Sequence, residues 1–102
     1  MLKVMSLMKR KEGMSFADYR NWIMNDHPKL ATKMPGLRGY RVNAPKEENP
    51  DSPHDSISEM WFDDAAARTA AMATEAGKAA GADAAAHCSS RFHFLVEEKV
   101  LL

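Results

Sequence analysis

The first apolar residues of the chain fall on both sides of a predicted β-strand. Residues 4–8, "VMSLM", are apolar at every position except Ser6. Successive side chains of a strand point to opposite faces, so both faces of this strand are largely apolar. Such a strand has to be covered on both sides by other parts of the protein.

A helical pattern follows, beginning after Ser15. Ser15 caps the predicted helix, with Asp18 three residues on as in a capping box, and the Pro35-Gly36 pair ends it. At about 100° per residue, six side chains fall within one arc and form a predicted buried stripe. These are Phe16, Tyr19, Ile23, His27, Leu30 and Met34. Trp22 lies off this stripe, which predicts a place at an interface or an edge.

Three more strands, a loop and a second helix are predicted beyond residue 36. The strands are residues 37–44, 57–62 and 91–98. The proline-rich, acidic residues 44–56 predict a loop between the first two of them. An alanine-rich segment then predicts the second helix, capped by Asp63 or Asp64 and broken at Gly77 and Gly81.

The order of elements is strand, helix, strand, strand, helix, strand. It predicts an α+β, ferredoxin-like βαββαβ fold, a four-stranded antiparallel sheet with two helices on one face. A length of 102 residues predicts a single domain, 1–102. Its helices cover one face of the sheet only, so a second layer has to come from elsewhere. We therefore expect a homodimer in which two sheets pack face to face.

Charge and composition exclude several classes of partner. Fourteen basic and fourteen acidic side chains give a net charge of zero, which disfavours nucleic acid and anionic membranes as partners. The single cysteine, Cys88, excludes an intrachain disulfide, and no cluster shows the spacing of a zinc site. The N-terminus reads as a strand rather than a signal peptide, and no apolar run approaches a membrane span of about 20 residues. We expect a cytoplasmic protein with no metal and no membrane contact.

His27 is the main candidate for chemistry. An unperturbed imidazole titrates near pH 6.5, so a partly buried one can take or give a proton at neutral pH. Pro28 removes a backbone donor and leaves the carbonyl of Met24 unpaired, which predicts a kink and a polar gap beside His27. Two alternatives stay open: a histidine bonded to a neighbouring carbonyl, and a helix that restarts with Pro28 in its first turn.

Apolar side chains around His27 predict the wall of a cleft for a flat or cyclic ligand. The candidates are Tyr19, Ile23, Tyr40, Met60, Trp61 and Met72. Plain core packing is the alternative for each of them. His54 lies in the acidic loop, where it is either solvated or carried inward by loop closure. His93 alternates with Phe92 and Phe94, so it faces the partner sheet if the phenylalanines pack on the helices.

Several segments, taken in order, resemble a known family. They are "KVMSLMKRKEGMSFADYRNW", "DHPKL", "MPGLRGY", "SEMWF", "DDAAARTAAMATEAGKAAGAD" and "FLVEEKV". Together they cover nearly the whole chain and are similar to the EthD-type members of the dimeric α+β barrel superfamily, which include the methylmuconolactone methylisomerases. The resemblance implies a homodimer with a small, mostly apolar cleft between the helices and the sheet of each subunit.

The resemblance also implies a role for His27. In the methylisomerases the matching histidine lines the cleft and takes part in moving a proton on a lactone, without a metal or an organic cofactor. The cysteine that those enzymes carry just before the strand-three tryptophan is Met60 here. Their second histidine has only His54 as a loose match, and we treat His54 as a possible second polar group.

Three alternative functions are therefore considered for this chain. The first is a cofactor-independent acid–base enzyme, isomerase-like, acting on a small cyclic compound such as a lactone in a catabolic pathway. The second is an oxygenase of aromatic compounds that needs no cofactor, or a haem-degrading relative. The third is a non-catalytic protein that binds a small ligand for a degradation pathway.

Overall fold

The strands and helices follow the predicted order in a computed structural model that describes residues 1–102. The strands are β1 (Leu2–Arg10), β2 (Gly39–Asn43), β3 (Ser56–Phe62) and β4 (Cys88–Val96). The helices are α1 (Phe16–Asn21), α2 (His27–Ala31), α3 (Ala65–Ala73) and α4 (Glu75–His87), with a π-helical turn (Trp22–Asp26) between the first two. The predicted α+β ferredoxin-like fold is confirmed. No helix is long and apolar enough to cross a membrane.

The sheet is antiparallel throughout, with strand order β2-β3-β1-β4. Val4, Ser6 and Met8 alternate along β1 on the face that the helices cover, and each is at most 3% exposed. Their neighbours Met5 and Leu7 point to the other face, on which the helices do not pack. That outer face leaves large apolar side chains in solvent, namely Ile57, Phe92 and Phe94.

The first helical segment runs through α1, the π turn and α2 without interruption. Ser15 caps it as predicted, its Oγ accepting from the N–H of Asp18 at 3.0 Å. A π turn lies at the position of the predicted kink, and in it the N–H of His27 bonds to the carbonyl of Trp22, five residues back. The alternative also holds in part, since α2 begins at His27 with Pro28 in its first turn. A π turn lengthens the hydrogen-bonded loop by one residue, and it sits where Pro28 has no N–H to offer.

The predicted breaks at Gly77 and Gly81 were wrong, since both glycines lie inside α4. The break falls at Thr74, whose backbone is extended and whose Oγ1 accepts from the N–H of Gly77 at 3.1 Å. Gly77 instead permits a close approach of α3 and α4. A Cβ atom there would lie 2.2 Å from the carbonyl oxygen of Ala71. Thr74 ends one helix and caps the next, which glycine content alone does not indicate.

Trp22 also departs from its prediction. It is 4% exposed and packs in a core cluster with Met8, Tyr19, Ile23 and Ala84. Because α4 lies across this side of the first helical segment, a position off the stripe is buried by a second helix. The apolar pattern of one helix does not show which of its faces a second helix will cover.

Candidate functional site

A cavity of about 50 Å³ lies between the helices and the covered face of the sheet. All four strands contribute to its wall, together with α2, α3, α4 and the segment after α2. Fourteen residues line it, and eight of them are hydrophobic, which makes the interior mostly apolar. A single water-sized sphere occupies roughly 10–15 Å³ of such volume, so the cavity holds several waters or a small organic fragment.

Four of the predicted site residues line this cavity: His27, Tyr40, Met60 and Met72. Burial raises the pKa of Tyr40 to about 12. The Tyr40 hydroxyl therefore keeps its proton at neutral pH and is available as a hydrogen-bond donor. Met60 and Met72 supply flexible apolar side chains beside it.

Tyr19 and Ile23 lie beside the cavity rather than on its wall. Both are fully buried in the core cluster that contains Trp22. The Tyr19 hydroxyl is hydrogen-bonded to Ser56 Oγ at 2.8 Å, and burial raises its pKa well above the ordinary value. The structure thus gives both residues a packing role, one layer away from the cavity.

Trp61 lies on the opposite face of the sheet. It follows Met60 in β3, and successive strand residues point to opposite faces, so only one of the two can face the helices. The Nζ atom of Lys3 lies 4.9 Å from the centroid of the Trp61 ring, and the Arg41 guanidinium carbon lies 5.3 Å from it. Trp61 therefore belongs to the outer face.

His54 lies in the loop before β3, where it lines a separate surface depression with Asn43, Ser52 and Asp55. It does not reach the cavity that His27 lines. Asp55, next to it, ties the loop to β1, since its Oδ2 accepts from the N–H of Arg10 at 2.9 Å. In this arrangement His54 contributes no group to the apolar cavity.

His27 is held against a carboxylate that the sequence pattern did not indicate. Its Nδ1 lies 2.9 Å from Oδ2 of Asp83 on α4, and the side chain is almost fully buried. With Asp83 ionised, Nδ1 carries the proton and donates it, which leaves the lone pair on Nε2. A carboxylate that orients an imidazole also stabilises the imidazolium formed when Nε2 takes up a proton.

Two aromatic neighbours fix the position of Asp83. The indole Nε1 of Trp22 donates to the same Oδ2 at 3.0 Å. His87 bonds through Nδ1 to the backbone oxygen of Asp83 at 2.7 Å and stacks on Trp22, with ring centroids 4.4 Å apart. One sequence feature could have pointed to Asp83 as a site residue. It is the one acidic residue in the second half of α4, and it lies four residues before His87.

His93 contributes a second imidazole to the cavity, from the sheet side. Its Nδ1 lies 2.7 Å from Oγ of Ser6, the residue directly opposite on β1. Burial, followed by the positive charges of Arg68 and Arg91, lowers the pKa of His93. His93 was expected to face a partner sheet only if the phenylalanines packed on the helices. That condition is not met, because the β1–β4 register turns Phe92 and Phe94 to the outer face and His93 toward the helices.

No group of three or more His, Cys, Asp or Glu side chains is arranged to hold a metal ion. The titratable groups at the cavity wall are instead an imidazole backed by a carboxylate, a second imidazole bonded to a serine, a tyrosine and the guanidinium of Arg91. Such a set can transfer protons and donate hydrogen bonds to a developing oxyanion.

Comparisons with known proteins agree with the fold and the motifs. A family model described as the EthD domain matches residues 11–88. An ethyl tert-butyl ether d (EthD) family protein from Bacillus halodurans is 29% identical, with a TM-score of 0.81, and the alignment covers 97% of this chain and 99% of that one. No curated protein matches the chain.

Two more distant solved structures share the fold alone. A dimeric ferredoxin-like protein of unknown function from Thermobifida fusca is 17% identical with a TM-score of 0.74, covering 93% of this chain and 88% of that chain. SnoaB, a cofactor-independent oxygenase from Streptomyces nogalater solved in a mutant form, is 12% identical with a TM-score of 0.68, covering 99% of this chain and 95% of that chain.

Proposed function

The chain belongs to the EthD family, and we propose that it is a cofactor-independent acid–base enzyme, isomerase-like, acting on a small cyclic compound such as a lactone. One observation carries the proposal. His27 lines an apolar cavity while its Nδ1 is held 2.9 Å from Asp83. An imidazole oriented in this way is suited to remove a proton from a substrate and return it elsewhere.

The chemistry requires a substrate proton next to a carbonyl group. Nε2 of His27 takes that proton, and the electron pair of the broken C–H bond moves onto the carbonyl oxygen as an enolate. Asp83 stabilises the imidazolium, and the hydroxyl of Tyr40, which also lines the cavity, donates to the enolate oxygen. In a lactone that carries a C=C bond next to the carbon that loses the proton, the enolate is conjugated with that bond. Return of the proton to the far carbon of the C=C bond then regenerates neutral His27 and gives the isomer with the double bond moved.

The size and composition of the cavity limit the substrate. A space of about 50 Å³ is smaller than a whole lactone ring with substituents needs. Met34, Met60 and Met72 line it, and unbranched methionine side chains change rotamer readily. The cavity therefore suits a small ring that enters as these side chains shift. The methylisomerases carry a cysteine at the position of Met60. The reaction proposed for this chain therefore involves no thiol at that position.

A homodimer is part of the proposal. The outer face of the sheet exposes 38% of Ile57, 57% of Phe92 and 47% of Phe94, more apolar surface than isolated exposed residues would leave. A second copy packing its own outer face on this one would bury all three. The Thermobifida protein of the same fold is described as dimeric. The cavity lies on the other face, so each subunit keeps its own.

A cofactor-independent oxygenase is the second candidate. It is favoured by the likeness of fold to SnoaB, which is described as such an oxygenase. An imidazole base that ionises an aromatic hydroxyl would serve that chemistry as well, since the resulting anion can pass an electron to dioxygen. A protein that only binds the ligand would use the same cavity without turnover.

Proton NMR in heavy water separates the three functions. Metal-free protein is incubated with methyl-substituted muconolactones and with an electron-rich hydroxylated aromatic, under nitrogen and under air. We expect deuterium uptake into a lactone at equal rates under both gases. A product that forms only under air would contradict the isomerase function and support the oxygenase function. Ligand-induced NMR shifts that saturate, with no deuterium exchange and no product, would indicate a protein that only binds the ligand.

A further inference from the structure

Ser58 carries a buried hydroxyl group that makes no hydrogen bond within the protein. Three serines lie on the covered face of the two central strands, and each is at most 3% exposed. Ser6 Oγ is hydrogen-bonded to Nδ1 of His93 at 2.7 Å, and Ser56 Oγ to the Tyr19 hydroxyl at 2.8 Å. Ser58 Oγ has no partner, although Ser6 lies directly opposite it on β1. Of these three serines, only Ser58 leaves its hydroxyl without a hydrogen bond.

The unpaired hydroxyl of Ser58 belongs to the wall of the apolar cavity, on its sheet side. The residue is 2% exposed, so bulk solvent does not supply the missing partner. A buried hydroxyl without a hydrogen bond costs free energy, and a bound molecule that pairs with it recovers that loss. Such a group, in the wall of a cavity that holds a small organic fragment, points to a ligand with a hydrogen-bonding atom at this position.

The strand register brings Tyr40 to the same part of the cavity wall. Tyr40 pairs with Met60 and Val42 pairs with Ser58, so Tyr40 and Ser58 are diagonal neighbours on the covered face. Diagonal neighbours lie about 7–8 Å apart, a distance that a long aromatic side chain can span. Both side chains line the cavity, and His27 lines it from the helix side. Two hydroxyl donors on adjacent strands can therefore reach one oxygen of a ligand that lies against His27.

We propose that Ser58 is a catalytic residue, which binds the carbonyl oxygen of the substrate together with Tyr40 and donates a hydrogen bond to the oxyanion that forms there. As the C–H bond breaks, its electron pair moves onto this oxygen, while both hydroxyl groups keep their protons. Hydrogen bonds to a charged oxygen are stronger than those to a neutral carbonyl, so the pair favours the enolate. This deepens the proposed function, on which it rests for the reaction, by placing the substrate carbonyl between β2 and β3.

Tetronate and butenolide form a matched pair of probes for this site. Both are small unsaturated lactones, but tetronate is ionised at neutral pH and carries part of its negative charge on the lactone carbonyl oxygen, as the enolate does. Calorimetry measures the binding of each probe to the wild type and to Ser58→Ala. Ser56→Ala is the matched control, because Ser56 is equally buried on the same strand and face but does not line the cavity.

The wild type should bind tetronate more tightly than butenolide, by about tenfold or more, which equals about 1.4 kcal/mol. Ser58→Ala should lose most of this preference, and it should lower kcat for deuterium uptake into a lactone by about 10²-fold while changing KM less. Ser56→Ala should keep the preference and the rate. Equal binding of the two probes by the wild type, a preference that survives Ser58→Ala, or no binding of either probe at millimolar concentration would overturn the proposal.

Thermal unfolding of the ligand-free variants gives a second readout. Ser58→Ala removes an unpaired hydroxyl, so Tm should stay unchanged or rise. Ser56→Ala leaves the hydroxyl of Tyr19 without its partner, so Tm should fall. An equal fall of Tm in both variants would show that Ser58 is already paired within the protein, and it would overturn the proposal.

The binding and exchange measurements separate this proposal from the proposed function. A tetronate preference that depends on Ser58, combined with no proton exchange in any lactone, would support the oxygen site and refute the enzyme. Proton exchange that depends on His27 but proceeds at the same rate in Ser58→Ala would support the enzyme and refute the role of Ser58.

Discussion

The imidazole of His27 and the carboxylate of Asp83 lie 2.9 Å apart, although 56 positions separate them in the sequence. They meet because α2 and α4 lie side by side on the same face of the sheet. The contact sets which imidazole nitrogen carries the proton and leaves the other to act as a base. The proposed chemistry depends on this one pairing.

Asp83→Asn should slow deuterium uptake by roughly 10²–10⁴-fold, with little loss of stability. The oxygen of Asp83 that His27 contacts also accepts from Trp22, so an amide oxygen in its place keeps both hydrogen bonds while the negative charge that stabilises the imidazolium is lost. The imidazole is then a weaker base. Uptake is followed by NMR, and the ¹⁵N shifts of the imidazole report the tautomer. Asp26→Asn, exposed and next to His27 in sequence, is the control, and equal rates for both variants would contradict this account.

Pro28→Ala should stabilise the fold, by up to about 3 kcal/mol, while slowing proton exchange. Alanine restores an N–H group and favours a regular α-helix, which removes the need for the π turn and rotates His27 away from Asp83. Chemical denaturation measures the stability, with Pro35→Ala, beyond the end of α2, for comparison. Unchanged exchange together with unchanged stability would show that the π turn does not depend on the proline.

Two alanine substitutions in α4 should have opposite effects on stability. Gly77→Ala places a Cβ atom 2.2 Å from the Ala71 carbonyl oxygen, and we expect a loss of about 1–3 kcal/mol. Gly81→Ala meets nothing within 4 Å, so removing a helical glycine should stabilise the protein by about 0.5–1 kcal/mol. Thermal unfolding compares the two, and equal melting temperatures would argue against a tight contact between α3 and α4.

Phe92→Lys should convert the proposed dimer into a monomer, since it places a charge on the outer apolar face in place of its most exposed aromatic ring. Leu95→Lys is the matched control, because Leu95 is on the same strand and is 52% exposed but points to the opposite face. Sedimentation velocity gives the assembly state. A dimer that survives Phe92→Lys, or that is lost only in Leu95→Lys, would place the interface elsewhere.

Local sequence patterns were enough to predict the fold and the position of His27. The cap at Ser15, the apolar stripe and the order of elements are all properties of neighbouring residues. Asp83 was not predictable in this way, because its role comes from the packing of one helix against another. In an alanine-rich helix it looks like an ordinary solvated residue.

Strand register accounts for the residues that were placed on the wrong face. A strand pattern shows that His93 and Phe92 point in opposite directions, but not which of them points toward the helices. The same ambiguity applies to Met60 and Trp61, of which only Met60 lines the cavity. Both assignments required the pairing of β1 with its neighbours, which the sequence of a single chain does not specify.

Chemical rescue tests the central claim most directly. His27→Ala is assayed for deuterium uptake into the lactone that the wild type exchanges, with and without free imidazole. We expect the variant to fold, to lose exchange, and to regain part of it as imidazole enters the space beside Asp83 and acts as the base. Exchange by His27→Ala at the wild-type rate without imidazole would show that another group moves the proton.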